Sequence, residues 1–194
     1  MKAQKTGHSQ NGQDKALLLL GGVFLLGAAA GSLCCVRISG VGQLFSQEGQ
    51  AALGFWQQFW PRGVLLGTVF LSAWLRGGCP LALLAAGAEG FLTAARATGW
   101  VQALGRAGYG AALSQVLLPG FLWLAALLLL GRQAMAWSVT RQRFPPGKGK
   151  RLSPDGVYFL TAAICLGLAL LAAGTACWLS PRLWQAVQTF LPTE

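Results

Sequence analysis

Charged residues are scarce in this sequence, and acidic ones are the scarcest. Only 10% of the 194 residues are charged, and five residues are Asp or Glu, whereas soluble domains carry roughly 25% charged residues. The same chain is 54% hydrophobic. Most of its surface is therefore not built to face water, and the composition predicts a membrane protein rather than a soluble domain.

Histidine is nearly absent as well. The single His8 lies in a polar N-terminal segment, which excludes most metal, haem and acid–base chemistry built on imidazole. The sequence contains no CxxC pair and no GxSxG segment, so redox and serine-hydrolase centres lack their usual groups. We therefore predict that the chain is not an enzyme, with no catalytic residues, no metal and no cofactor.

Long apolar runs are what the sequence does have. Residues 16–36 and 157–179 carry no charge and 116–138 carry one Arg, and about 20 apolar residues suffice for a helix to cross the hydrocarbon core. Two shorter segments, 61–76 and 79–95, are also predicted spans because basic residues at their ends reach the interface. The predicted fold class is all-α, a polytopic membrane helical bundle of about five transmembrane helices. A cleaved signal peptide is the alternative for the first run.

The segments between and beyond these spans are polar or amphipathic. Residues 1–15 are predicted to form a disordered cytoplasmic tail. The connector 37–62 is predicted to contain an interfacial amphipathic helix before Pro61 starts the second span, with an ordinary loop as the alternative. Residues 96–115 are weakly apolar and fit a connector, a re-entrant piece or an interfacial helix. The tail 180–194 has apolar residues at helical spacing and is predicted to be an external amphipathic tail.

Basic residues predict the orientation of the bundle. The loop 139–156 holds the strongest basic cluster, which marks the cytoplasmic side of an inner membrane. The cluster consists of Arg141, Arg143, Lys148, Lys150 and Arg151. Lysines in the N-terminal tail mark the same side, so five spans place the N-terminus in the cytoplasm and the C-terminus outside. Few aromatic residues lie among the basic ones, so the net charge of +10 favours contact with the lipid bilayer over nucleic-acid binding.

Two pairs of glycines lie at helical spacing inside predicted spans. Gly27 precedes Gly31 by one turn, and Gly63 precedes Gly67 in the same way. Because glycine has no side chain, helix backbones approach closely at such pairs. We predict that these glycines pack helices of this chain against each other or, alternatively, dock a partner's single span or a second copy of the chain.

Glu89 is the one acidic residue inside an apolar segment. A charge at the bilayer centre costs about 2.5–3.5 kcal/mol on insertion scales, so this carboxylate is expected to be paired, protonated or facing water. Arg96 lies seven residues on, on the same helical face, and Arg76 is close in the sequence. A structural Glu–Arg pair, a coupling or proton site and a contact to a partner are all compatible with this position.

The order of these elements resembles that of a known family. The stretch FWQQFWPRGVLLGTVFLSAWLRGGCPLALLAAGAEGFLTA, followed by a Gly-rich stretch and LSQVLLPGFLWLAALLLLG, is similar to stage II sporulation protein M. The shared order is a span that ends at a Gly-x-Pro turn at 78–80, a span with Glu89-Gly90, and a span with Pro119. A basic loop and one last span follow, and the resemblance covers residues 20–180.

The resemblance implies a non-enzymatic membrane scaffold. Members of this family gather two peptidoglycan-degrading proteins, stage II sporulation proteins D and P, at the septum during engulfment in sporulation. The expected partners are therefore membrane-anchored cell-wall hydrolases, and a homo-oligomer is left open. The alternative from the residues alone is a small membrane transporter or channel component that uses Glu89 as its intramembrane polar site.

Overall fold

The computed structural model describes residues 4–38, 54–75, 77–143 and 155–179, together with 181, 182 and 185. Within these residues every regular element is helical, so the predicted all-α class is confirmed for this part of the chain. The elements are α1 (Gln4–Arg37), α2 (Phe55–Ser72), α3 (Cys79–Leu104), α4 (Arg106–Ala111), α5 (Leu118–Arg143) and α6 (Gly156–Gly174), with π-helical turns at Ala112–Leu117 and Thr175–Leu179.

Three of the described helices are long and apolar enough to cross a membrane. These stretches are Asp14–Arg37, Leu118–Gln142 and Gly156–Trp178. Their outer faces carry exposed leucines such as Leu26 and Leu160, and contiguous apolar surface of this kind is stable in lipid rather than in water. The chain is therefore a membrane protein. By length and composition three spans are supported rather than five, because α2 and α3 are less apolar.

The helices extend beyond the apolar runs that predict them. α1 begins at Gln4, within the tail predicted to be disordered, and α3 continues to Leu104, through much of the segment left as a connector. Once a helix is nucleated, each further residue adds a backbone hydrogen bond, so a helix continues until a stop signal. Gly105, with φ at +56°, is that signal for α3.

α2 begins at Phe55, so the aromatic end of the connector belongs to this helix and not to a separate interfacial one. The backbone N–H of Gly54 donates to Oε1 of Gln57 (3.2 Å), which satisfies a polar group at the helix start. Pro61 then lies inside α2 instead of starting it. The rest of the predicted interfacial segment, residues 39–53, lies outside the described residues.

The chain from Arg106 to Arg143 forms one helical run that contains a π turn. The π turn Ala112–Leu117 ends just before Pro119, whose ring clashes with the carbonyl four residues earlier in a regular α-helix. A wider turn relieves that clash. The run folds back along α3, and Trp100 packs in a small second core with Ala112 and Val116.

Successive long helices alternate in direction. α1 and α3 are parallel, because Gly27 faces Gly87 and Gly31 faces Phe91. α5 runs antiparallel to α3, since Gly78 contacts Ser138 near the start of α3 while Thr93 contacts Gly120 further along it. α6 begins where α2 ends, because the Tyr158 hydroxyl donates to the Phe70 carbonyl oxygen (2.7 Å).

One end of the bundle therefore holds the start of α1, the turn between α2 and α3, the end of α5 and the start of α6. We call it the turn end. The main core lies between α2, α3, α5 and α6, and among its fully buried residues are Val69, Leu130 and Tyr158. α1 packs on the outside of this group, mainly against α3.

Candidate functional site

A buried ion pair joins α2 to α3. The Nε atom of Arg62 lies 3.3 Å from Oε1 of Glu89, and the two residues are 8% and 3% exposed. The partner of Glu89 is thus Arg62 of the neighbouring helix, whereas the sequence pointed to Arg96 or Arg76. Arg96 is half-buried further along α3, and Arg76 lies outside the described residues.

One feature of the sequence does relate Arg62 to Glu89: the two residues are equally far from the turn that joins α2 to α3. Arg62 lies as far before Ser72, where α2 ends, as Glu89 lies after Cys79, where α3 begins. Two antiparallel helices joined by a short turn bring such positions together. In the predicted second span, which started at Pro61, Arg62 lay at the membrane interface. α2 begins nearly two turns earlier, at Phe55, so Arg62 lies well inside the helix.

The ion pair lies near the middle of α3. At 1.5 Å per residue, Glu89 is about 15 Å from Cys79 and about 16 Å from Trp100, so it is central in a stretch about as long as the hydrocarbon core is thick. A single charge buried away from water without a partner costs several kcal/mol. The pair is stable there because the two charges cancel within one contact.

Side chains from α3 and α5 complete the surroundings of the pair. The Thr93 hydroxyl donates to Oε1 of Glu89 (3.4 Å). The guanidinium carbon of Arg62 lies 5.7 Å from the ring centroid of Trp123, a cation–π distance, and Phe59 packs on the same indole with centroids 6.1 Å apart. The indole N–H of Trp123 is buried without an acceptor among the described residues.

These contacts join three helices, α2, α3 and α5, and they are sensitive to the loss of either charged residue. Removing one member of a buried ion pair costs about 3–5 kcal/mol because the other charge is left uncompensated, whereas replacing both with apolar residues is often neutral. The carboxylate is occupied by Arg62 and Thr93 and is almost fully enclosed. As built, the site holds helices in register.

The glycine pairs occupy two different environments. A Cβ atom on Gly27 would collide with the backbone carbonyl of Gly87, and one on Gly31 with that of Phe91. These two glycines therefore lie against α3 and are closed to any partner. For Gly63 the nearest described atoms belong to its own helix neighbour Phe59 (3.2 Å), and no described atom lies within 4 Å of a Cβ on Gly67.

The basic cluster is divided between a helix end and the segment that follows it. Arg141 lies in the last turns of α5, where its Nη1 donates to the Trp74 carbonyl oxygen (2.6 Å) and its guanidinium lies 5.4 Å from the Trp74 ring centroid. The described part of α5 extends to Arg143, and Pro145 follows in the sequence. The other members, Lys148, Lys150 and Arg151, lie outside the described residues.

The turn end also carries polar contacts that the sequence did not reveal. Ser138 Oγ accepts a hydrogen bond from the backbone N–H of Gly78 (2.9 Å) and donates to the Leu75 carbonyl oxygen (3.3 Å). Together with Arg141 and Tyr158, it ties the turn between α2 and α3 to α5 and α6. Serine and tyrosine inside apolar runs give no sequence signal of which carbonyl or amide they reach.

In the described part of the chain, no group of three or more His, Cys, Asp or Glu residues is placed to hold a metal ion. Comparison with known proteins finds no matching family model, no similar curated protein and no similar solved structure. The function of the chain is therefore inferred from its own geometry and from the order of its elements.

Proposed function

We propose that this chain crosses the inner membrane five times, through α1, α2, α3, α5 and α6, with the N-terminus in the cytoplasm and the C-terminus outside. The alternating helix directions support this topology, because each connection then returns the chain to the opposite side. The turn end holds the start of α1 and the end of α5, next to the two basic segments, so it is the cytoplasmic end under the positive-inside rule.

Tryptophans at both ends of the bundle support the same placement. Trp74 is exposed at the turn end, while Trp56, Trp60 and Trp178 are exposed at the opposite end. Indole rings collect at the two membrane–water interfaces, because they are apolar bodies with one polar group. The length of α3 between Cys79 and Trp100 also fits one bilayer.

The function we propose is that of a non-enzymatic scaffold of the stage II sporulation protein M type, which recruits membrane-anchored cell-wall hydrolases at the septum during engulfment. The observation that carries the proposal is a contrast between the interior and the outer faces. The central charges satisfy each other, while half-buried Gly67 on α2 has no described atom within 4 Å of a Cβ built on it. Open glycine backbone is what a partner's single span packs against in lipid.

The ion pair gives less support to a transporter or channel component. A coupling carboxylate has to exchange protons or ions with water, and Glu89 is 3% exposed and contacts Arg62. A groove of about 460 Å³ does lie on α6, but its lining of Gly167, Leu170, Leu171, Gly174 and Thr175 contains no ionisable group. We therefore propose the scaffold.

Co-purification with the expected partners tests this proposal. The chain is co-expressed with membrane-anchored hydrolases of the stage II sporulation protein D and P types and isolated in mild detergent. Gly67→Leu is expected to lower the recovered hydrolase at least about tenfold, equivalent to 1.4 kcal/mol, because it fills the open face of α2. Gly22→Leu is the matched control, since no described atom lies within 4 Å of a Cβ there either.

The control is expected to recover as much hydrolase as the unaltered chain. Failure of the unaltered chain to retain either hydrolase would refute the scaffold. Equal recovery with Gly67→Leu and with Gly22→Leu would show that the face of α2 is not used.

A further inference from the structure

We infer that α2 and α3 enter the bilayer together, as a hairpin whose two central charges cancel, and that neither helix crosses alone. The inference rests on the proposed five-span topology. It concerns how the membrane-embedded form is reached, and it assigns Arg62 and Glu89 to that step.

The long helices differ in whether they are apolar enough to cross a membrane alone. α1, α5 and α6 are each apolar enough to cross a membrane by themselves. α2 and α3 are not, and each carries one charge at the level where the bilayer is most apolar. A helix with an unpaired charge at that depth is poorly inserted. The two long helices that are not apolar enough to cross alone are also the two whose central charges pair.

The turn between α2 and α3 has a specific backbone geometry. Gly77 adopts φ of +82°, a conformation that favours glycine, and a Cβ atom on Gly78 would collide with the Ser72 carbonyl. Ser72 Oγ donates to the Val69 carbonyl oxygen (2.7 Å) within the last turn of α2. The backbone N–H of Gly78 also donates to the Leu75 carbonyl oxygen (3.2 Å), so the turn has contacts of its own beside those that Ser138 makes with it. Because Arg62 and Glu89 are equally far from it, closing the turn sets their register.

The two charges differ in how they respond to the loss of the partner. A lone glutamate becomes neutral by binding a proton, whereas an arginine side chain stays charged in proteins. Loss of Glu89 therefore leaves a permanent charge in the apolar layer, and loss of Arg62 leaves a group that loses its charge. Insertion is expected to be more sensitive to Glu89→Leu than to Arg62→Leu.

Failure of the hairpin has a specific topological result. Two crossings are lost together, so α1, α5 and α6 keep their orientation, and only the turn at 73–78 moves from the cytoplasmic to the external side. A reporter in the turn therefore detects hairpin insertion, while reporters elsewhere record the topology of the rest of the chain.

Cysteine labelling in intact spheroplasts tests the inference. All five native cysteines are replaced by alanine in the full chain, and one reporter is added: Leu75→Cys in the turn, Asp155→Cys at the turn end or Tyr109→Cys at the opposite end. All three positions are exposed. A membrane-impermeant maleimide then labels cysteines on the external side.

In the chain with the native pair, Leu75→Cys and Asp155→Cys are expected to be protected and Tyr109→Cys labelled. Glu89→Leu is expected to raise the labelling of Leu75→Cys at least about tenfold, the size of effect that a lost charge pair produces, and Arg62→Leu to raise it less. The double variant R62L/E89L and the exchanged pair R62E/E89R are expected to restore protection. Arg96→Leu on α3 and Thr68→Val on α2, whose hydroxyl donates within its own helix to the Val64 carbonyl oxygen (2.8 Å), are matched controls and should leave Leu75→Cys protected.

Three results would overturn the inference. Leu75→Cys could stay protected in Glu89→Leu, the double variant could be labelled as strongly as the single one, or the controls could be labelled as well. Labelling of Leu75→Cys or Asp155→Cys in the chain with the native pair would instead reject the topology itself. If cells degrade Glu89→Leu, cell-free synthesis into inverted membrane vesicles gives the same test with the accessible side reversed.

Discussion

Two faces of α3 are held by different physics. Toward α1, the contact is one of backbones brought together by glycines, among them Gly27 and Gly31. Toward α2, it is the ion pair of Arg62 and Glu89. The first contact excludes added atoms whatever their chemistry, whereas the second excludes unbalanced charge whatever its sign. The two contacts can therefore be told apart by rescue. A loss of stability at the ion pair can be reversed by a second substitution on the other helix, whereas a loss at the glycines cannot.

The largest effect is expected on the charged face. Glu89→Gln keeps the side-chain shape but leaves the Arg62 charge uncompensated, so the free energy of unfolding in detergent should fall by about 3–5 kcal/mol. Combining it with Arg62→Gln should recover most of that loss. Thermal or denaturant unfolding of the four members of this double-mutant cycle measures the coupling, and simple additivity of the two losses would count against a direct pair.

A somewhat smaller effect is expected on the glycine face. Gly31→Leu forces a side chain into the backbone of α3 at Phe91, and overpacking of this kind costs about 3 kcal/mol. The clash is with a carbonyl, so no side-chain substitution on α3 should rescue it. Unfolding of Gly31→Leu is compared with that of Gly21→Leu, where a Cβ meets no described atom within 4 Å. Equal stability of the two variants would show that α1 does not lie on α3 as described.

The turn that aligns the two charges should be less sensitive. Ser138→Ala removes two hydrogen bonds, one accepted from the buried Gly78 amide and one donated to Leu75. The Gly78 amide keeps its bond to the Leu75 carbonyl oxygen (3.2 Å), so the expected cost is the net contribution of two hydrogen bonds, about 1–3 kcal/mol in all. Thr140→Ala is the control on the same helix, because its hydroxyl bonds only within α5, to Ala136. Faster hydrogen exchange at Gly78 in Ser138→Ala, and not in Thr140→Ala, is the expected measurement.

The smallest effect concerns the contact between α2 and α6. Tyr158→Phe loses the hydroxyl that donates to Phe70 but keeps the stacked ring, whose centroid lies 5.4 Å from that of Phe70. The loss of free energy of unfolding should be about 1 kcal/mol. Tyr158→Ala should cost several times more, and equal losses for the two variants would mean that the hydroxyl rather than the ring carries the contact.

The sequence predicts those features of the fold that depend only on the composition of a single helix. The long apolar runs predict α1, α5 and α6, and the spacing of Gly27 and Gly31 predicts a close-packing face, since glycine at one-turn intervals has the same consequence on any neighbour. It does not predict the partner of Glu89, because that depends on the first residue of α2. Placing this start at Pro61 instead of Phe55 removes Arg62 from the interior.

Helix ends were the other quantity that the sequence left open. Apolar runs end where lipid ends, but helices end where the backbone is stopped, as at Gly105 for α3. The tie from Ser138 to the turn could not be read from the chain either. A hydroxyl in an apolar run bonds its own helix or a neighbour's with equal ease, and packing alone decides between them.

The π turn before Pro119 has a consequence for how the outer surface is composed. A π turn takes more residues than an α turn, and one residue corresponds to a rotation of about 100° around the helix axis. The six residues Ala112–Leu117 therefore determine how far α4 is rotated about the helix axis relative to α5. Shortening the turn by one residue would rotate Tyr109 off the surface, so the outward face of α4 is decided by residue count as much as by residue type.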